Sequence, residues 1–367
     1  ISLNAANGDI SGQLTGSAGA LSLISTGAVL DTDYATANLD SDTSSVTATA
    51  ANGGVQLGTV AAATSLTVSG QAVSLTGATG GAAGSVTATQ GTLVIGAAEF
   101  GGTATVTKQG GAIATAGDEL RILNRLYGSL AGPAGGTTVT SQTHVKAQVI
   151  KEYNTTANVT ATTGDVVIGD QVQALGNVSI SAGRDVQIAN YIASPEAGFV
   201  RSVSGSVLID AGRSVYGIGG SASTLPVVPG SADGILVLGN LTVSGTGDIF
   251  KSTLSATGSI TFNLTGSVYG SNGTPGADVP GGSVFGATNV TVNANGAGGV
   301  NVLKSATATS GNLTLKGESI AIGSPIAGGT IAFNDLANNP INPANLYVGL
   351  TTISGDYTLT PTDPITF

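Results

Sequence analysis

The chain has no cysteine, no methionine and no tryptophan in 367 residues. Without cysteine, no disulfide can hold the fold and no thiol can act as nucleophile, metal ligand or redox centre, so stability must come from packing and hydrogen bonding alone. Methionine is missing even at position 1, which leads to the expectation of a processed or excised segment whose targeting peptide is already gone. Charge is scarce too, at 9% of residues, with 11 Lys plus Arg and a net charge of −10. A phosphate backbone demands clustered cations, so nucleic acid is excluded as a partner. No run of about eighteen apolar residues occurs, which excludes a membrane-spanning helix. Proline is absent before Pro133, whereas Pro325, Pro340, Pro343, Pro361 and Pro364 crowd the C-terminal end.

What is present is glycine, 57 residues of it, together with Ser, Thr, Ala and Val, and only 4% aromatics. High glycine by itself suggests disorder, but disordered chains are highly charged and poor in β-branched residues, and this chain is the reverse. Its apolar residues alternate over short stretches that recur about every twenty residues. Ser45-Val46-Thr47-Ala48-Thr49, Ser65-Leu66-Thr67-Val68-Ser69, Ser85-Val86-Thr87-Ala88-Thr89 and Thr105-Val106-Thr107-Lys108-Gln109 open four consecutive blocks. Such self-similarity marks a solenoid, in which each repeat buries its apolar face only against its neighbours.

The repeat continues through Thr138-Val139-Thr140, Asn158-Val159-Thr160, Asn177-Val178-Ser179, Ser206-Val207-Leu208, Asn240-Leu241-Thr242, Ser259-Ile260-Thr261, Asn289-Val290-Thr291 and Asn312-Leu313-Thr314. A second short strand follows a glycine turn in each unit, as in Gly164-Asp165-Val166-Val167-Ile168. The pattern predicts an all-β, right-handed parallel β-helix of about fifteen coils of roughly 20 residues, a rod of around 70 Å. Val46, Leu66, Val86 and Val106 are expected in one interior column, and Val159, Val178, Leu241, Val290 and Leu313 in another. Residues 1–323 are assigned to the helix, with insertions at about 25–44, 121–137, 191–203, 218–233 and 271–283. The Pro-rich residues 324–367 are assigned to irregular coils, a cap or a linker. No segment carries a sustained helical period; residues 120–127 come closest.

Two stretches resemble the repeats of filamentous haemagglutinin and related exoproteins of two-partner secretion systems. They are Gly176-Asn177-Val178-Ser179-Ile180-Ser181-Ala182-Gly183-Arg184-Asp185-Val186 and Ser65-Leu66-Thr67-Val68-Ser69-Gly70-Gln71-Ala72-Val73-Ser74-Leu75-Thr76-Gly77-Ala78. The resemblance implies export by an outer-membrane transporter of a Gram-negative cell. It further implies folding outside that cell into the shaft of an adhesin that meets a receptor or glycan on a host or neighbouring cell. The family's Asn-Pro-Asn secretion motifs have only a loose echo here, Asn339-Pro340-Ile341-Asn342-Pro343, at the opposite end, so no secretion-signal residue is carried over.

Candidate chemistry is thin. Asp31, Asp33, Asp40 and Asp42 form the nearest acidic cluster, but their spacing matches neither an EF-hand nor the calcium nonapeptide of β-helical repeats, so they read as a solvated loop and stability is expected to be indifferent to calcium. His144 is the single histidine and reads as a surface or ladder residue on a strand. The densest charge joins Arg121, Arg125, Lys146 and Lys151 with Glu119 and Glu152, and reads as decoration of an irregular insertion. Asn-X-Ser/Thr sequons at Asn158, Asn177, Asn240, Asn263, Asn289 and Asn312 follow from the repeat itself, because Asn suits a corner and Thr or Ser suits the strand after it. No catalytic residue, metal ligand or cofactor is assigned.

The extra residues of the longer coils follow the second strand, with Ser-Val-Tyr-Gly repeated at 214–217 and 267–270. They are expected to emerge on one flank as a contact ridge bearing Tyr191, Phe199, Tyr216, Pro226, Tyr269 and Pro280. The functional expectation is a non-enzymatic shaft of a secreted, surface-attached filamentous adhesin. Its alternatives are a subunit that stacks end to end or laterally into a homopolymer, and a glycan-cleaving enzyme on the same scaffold.

Overall fold

The computed structural model describes residues 1–12, 16–33, 38–111, 118–130, 135–188, 199–217, 234–237, 239–245, 249–250, 253–266, 268–269, 283–348 and 356–357. The fold is all-β, its parallel strands stacked as a β-solenoid of about 12 turns. That is slightly below the roughly fifteen expected from counting strand heads. Among the described residues the only helical element is a 3-10 turn at Pro343–Asn345, capped by the Asn342 side chain, and no helix is long and apolar enough to cross a membrane. The chain forms two compact units, Ile1–Ala182 and Gly183–Phe367.

From Val46 to Ala174 in the first unit each coil contributes a short strand to one face and a longer strand to another. The first face stacks Val46–Ala50, Ser65–Gly70, Ala83–Ala88, Thr103–Lys108, Thr137–Ser141 and Ala157–Ala161 in parallel without a register shift. Alternation decides which side chains turn inward: Val46, Ala48 and Ala50 are buried while Thr47 and Thr49 between them are half-exposed. Burying each Val or Leu of such a column contributes about 1.5–3 kcal/mol, and β-branched residues suit the pleated outer side.

The expected interior columns require a correction. Val46, Leu66, Val86 and Val106 are all buried, but they occupy two adjacent columns. Val46 stacks on Leu66, and Leu66 then meets Gly84, while Val86 stacks on Val68 and Val106. The cause is Phe100, fully buried beside Gly84; a Cβ at Gly84 would lie 1.9 Å from its ring. The aromatic ring takes the volume that a Val or Leu at position 84 would need, so the block is read two residues later. Val159 likewise stacks on Ile180, and Val178 on Ala157. The rest of the second expected column holds in the second unit, where Leu241, Ile260, Val290 and Leu313 stack in turn.

The second face of the first unit stacks Val73–Gly80, Leu93–Phe100, Glu119–Gly128, His144–Glu152 and Val166–Ala174. Here the register shifts between Ile95 and Ala97, between Ile122 and Arg125, and between Ala147 and Val149. Residues 120–127, the closest approach to a helical period in the sequence, are a strand. Leu120, Ile122 and Leu126 point inward, and the irregularity that interposes Leu123 and Asn124 stretches the spacing so that it mimics a helix. The region around 25–44 holds the strands Val29–Asp31 and Asn38–Ser41, both paired with Val55–Ala62.

In the second unit the first face runs through Val207–Ala211, Leu241–Gly245, Ile260–Leu264, Val290–Ala294, Leu313–Lys316 and Thr330–Asn334. Regular stacking therefore passes Gly323, the expected limit of the helix. Pro325 is accommodated because it pairs with Ala306 on one side, whereas the described ladder to the following strand covers only Ile320, Ala321 and Ile322. Corner asparagines link successive coils: Asn240, Asn289 and Asn312 accept from the backbone N–H of Ser259, Asn312 and Thr330, each at 2.9 Å. The same asparagines head the sequons, so the motif is spelled by the corner bond.

Candidate functional site

The residues flagged by charge lie on the outer side of the second face of the first unit. Outward positions place Arg121 beside Lys146 and Tyr127 beside Lys151 on neighbouring strands. Glu119 bridges both cations, hydrogen-bonded to Arg121 and 2.6 Å from Lys146 Nζ. Burial pushes the Glu119 carboxyl up, but the hydrogen bonds from Lys146 and Arg121, together with their charges, outweigh it and hold the group below the usual carboxylate range. Arg125 meets Glu99 at 2.7 Å, and that hydrogen bond raises the guanidinium further above its ordinary value.

Sequence reasoning missed the aromatic part of this face. The rings of Tyr127 and Tyr153 meet edge to face with centroids 5.8 Å apart. Arg125 and Lys151 approach the Tyr127 ring at 5.5 and 5.8 Å, within cation–π range. Burial raises the Tyr153 hydroxyl above its ordinary value. Leu123, at the register shift, is 56% exposed. The signal available in the sequence was the spacing of Glu99, Tyr127 and Lys151, each about one coil after the last; the irregular coil lengths concealed it.

Glu152 does not join this face. It is buried, accepts from Thr137 Oγ1 at 2.7 Å and from the N–H of Asn154 at 3.1 Å, and so closes a turn inside the coil. Another interior polar group was also missed. Lys108 is fully buried; its ammonium donates to Gly110 O at 3.0 Å and pairs with Asp118 at 2.6 Å. Strand alternation contained that information, because Lys108 sits two residues after the inward Val106.

The remaining expected residues are scattered. Asp31 is buried and its Oδ1 accepts from the N–H of Asp33, while Asp40 lies in the strand Asn38–Ser41. Among the described residues no group of three or more His, Asp or Glu converges on one point. His144 Nδ1 accepts from the N–H of Asp165 at 3.0 Å, which ties one coil to the next. An open groove of about 530 Å³ in the second unit is lined by Glu318, Ser319, Asp335, Leu336 and Asn345. Asp335 is spent on its own turn, accepting from the N–H groups of Ala337 and Asn339 at 2.8 Å.

Of the expected contact ridge, Phe199, Tyr216 and Tyr269 fall in the strands Phe199–Ser202, Val215–Gly217 and Val268–Tyr269. Tyr191, Pro226, Pro280 and nearly all of the loops 191–203, 218–233 and 271–283 lie outside the described residues. No family model, curated protein or solved structure matches the chain, so the β-solenoid stands on its own strand pairing.

Proposed function

We propose that the chain is a structural shaft segment of a secreted, cell-surface filamentous adhesin, exported through an outer-membrane transporter as the resemblance to filamentous haemagglutinin implies. The observation that carries the reading is the stacking itself. Coil after coil repeats the same interior of Val, Leu, Ile and Ala and the same parallel ladder, so length is added without a new core. Such a construction suits a spacer that holds a binding element away from a cell. The charged, aromatic face of the first unit and the groove near Asp335 serve as surface features on that spacer.

The experiment is deletion of whole coils from the secreted parent protein, followed by electron microscopy and a cell-adhesion assay. Removing residues 65–102, two complete coils, is expected to shorten the fibre by about 10 Å and to leave receptor affinity unchanged. Loss of binding without a change in length would overturn the spacer reading. Release of reducing ends from acidic polysaccharides, abolished by Asp335→Asn, would replace it with a glycan-cleaving enzyme.

A further inference from the structure

The first face of the first unit carries a second regularity, on its outer side. One column runs from Thr47 through Thr67, Ser85 and Thr105 to Thr138, and the neighbouring column from Thr49 through Ser69, Thr87, Thr107 and Thr140 to Thr160. Rungs on adjacent coils stand about 4.8 Å apart, and the two columns, two residues apart along each strand, about 6.7 Å apart. No register shift interrupts these pairings. Both columns consist of hydroxyl side chains, and no charged residue interrupts them in a chain of net charge −10. Among the described residues none of these hydroxyls hydrogen-bonds within the protein, in contrast to the corner hydroxyls Thr89 and Thr163, which bond backbone carbonyls of the preceding coil.

From this we infer that the face binds the surface of an ice crystal. A rigid array that repeats in two directions can match only a partner that repeats in the same two directions, and the oxygen lattice of ice does so at comparable spacings whereas liquid water has no fixed repeat. Threonine supplies both a hydroxyl that can replace a lattice oxygen and a methyl that excludes liquid water. Its β-branched χ1 is stiff, so little rotamer freedom is lost on docking. Charge argues the same way, since the array is neutral and a neutral crystal is its complement.

Area argues against a second copy of the chain. The two columns cover on the order of 300 Å², well below the ~800 Å² per partner of a stable interface. A crystalline polysaccharide is disfavoured because no aromatic ring lies in the array to stack on a sugar face. This inference does not rest on the shaft reading and would survive its failure.

The test uses the full 367-residue chain, fluorescently labelled, with ice recrystallisation and adsorption to a growing single crystal of ice as readouts. The parent is expected to adsorb and to slow recrystallisation. The variant Thr107→Lys/Thr140→Lys should lose about tenfold or more of that activity, while Gln173→Lys on the second face should retain it. Since all three positions point outward, circular dichroism and melting should match the parent for every variant. Thr107→Val/Thr140→Val, which keeps the methyls, is expected to fall between parent and lysine variant. Absence of adsorption by the parent, or equal adsorption by the lysine variant, would overturn the inference. Concentration-dependent dimerisation, or binding to crystalline cellulose, that the lysine variant alone loses would overturn it by naming another occupant.

Discussion

The two faces of the first unit are written by the same coils, yet one is uniform and the other broken. On the first, strands of five or six residues pair residue for residue from Val46–Ala50 to Ala157–Ala161. On the second, strands of eight to ten residues pair across a register shift at three successive steps, from Leu93–Phe100 to Val166–Ala174. A short strand between fixed corners leaves no room for an extra residue. A long strand can absorb one or two, and the bulge that results turns side chains such as Leu123 and Arg125 outward. Surface ion pairs and aromatic contacts therefore gather on the broken face, and neutral hydroxyls on the uniform one. The repeat sets the scaffold, and departures from it set the chemistry.

The sharpest way to break this contrast lies in the core beneath the uniform face, where the largest effect is expected. Phe100 fills the space that Gly84 leaves, so Phe100→Ala should cost about 3–5 kcal/mol. Gly84→Val should also destabilise strongly, because its Cβ would meet the Phe100 ring. Combined, the two substitutions should cost less than the sum of the singles, since each relieves the other. Thermal and urea unfolding of the three variants measures this. Additive losses would mean that Phe100 is not what shifts the interior column.

A somewhat smaller effect is expected where charge enters the core. Asp118→Ala leaves the fully buried Lys108 ammonium with backbone carbonyls alone, and removing one partner of a buried pair costs about 3 kcal/mol or more. Lys108→Met combined with Asp118→Asn removes both charges and keeps the volume, so it should cost far less. Equal destabilisation by both would show that packing of the lysine stem, not the pair, holds the coil together.

How far the sequence reveals these features follows from the same contrast. Strand heads such as Ser65-Leu66-Thr67 and Asn289-Val290-Thr291 show the period directly, because alternation and corner residues survive in every coil. The stacking partner of Leu66 is hidden, since nothing local reports that Phe100, some thirty residues on, occupies its neighbour's space. The charged face is half legible: Arg121, Arg125, Lys146 and Glu119 stand out by charge. Glu99, Tyr127 and Tyr153 join them only once coil lengths are known, and Glu152 is withdrawn into a turn. The strand at 120–127 misleads because a bulge converts a period of two into something close to a helical spacing.

The smallest expected effect tests the broken face through pH. The folded-state pKa of Glu119 lies below its ordinary value of 4.5, because hydrogen bonds from Lys146 and Arg121 outweigh the burial that opposes them. A depressed carboxylate contributes stability that is complete above its unfolded value and is lost as pH falls through the folded one. Melting temperature should therefore decline on acidification from near 4.5 downward, and Glu119→Gln should flatten that part of the profile. Both cations are about half exposed, so the contribution is strongly screened and stays well below those of Phe100 and Asp118. Raising ionic strength to about 1 M, where the screening length shrinks to about 3 Å, should bring parent and variant together. Identical acid profiles for parent and Glu119→Gln at low salt would show that the ion pairs of the broken face decorate the coils without holding them.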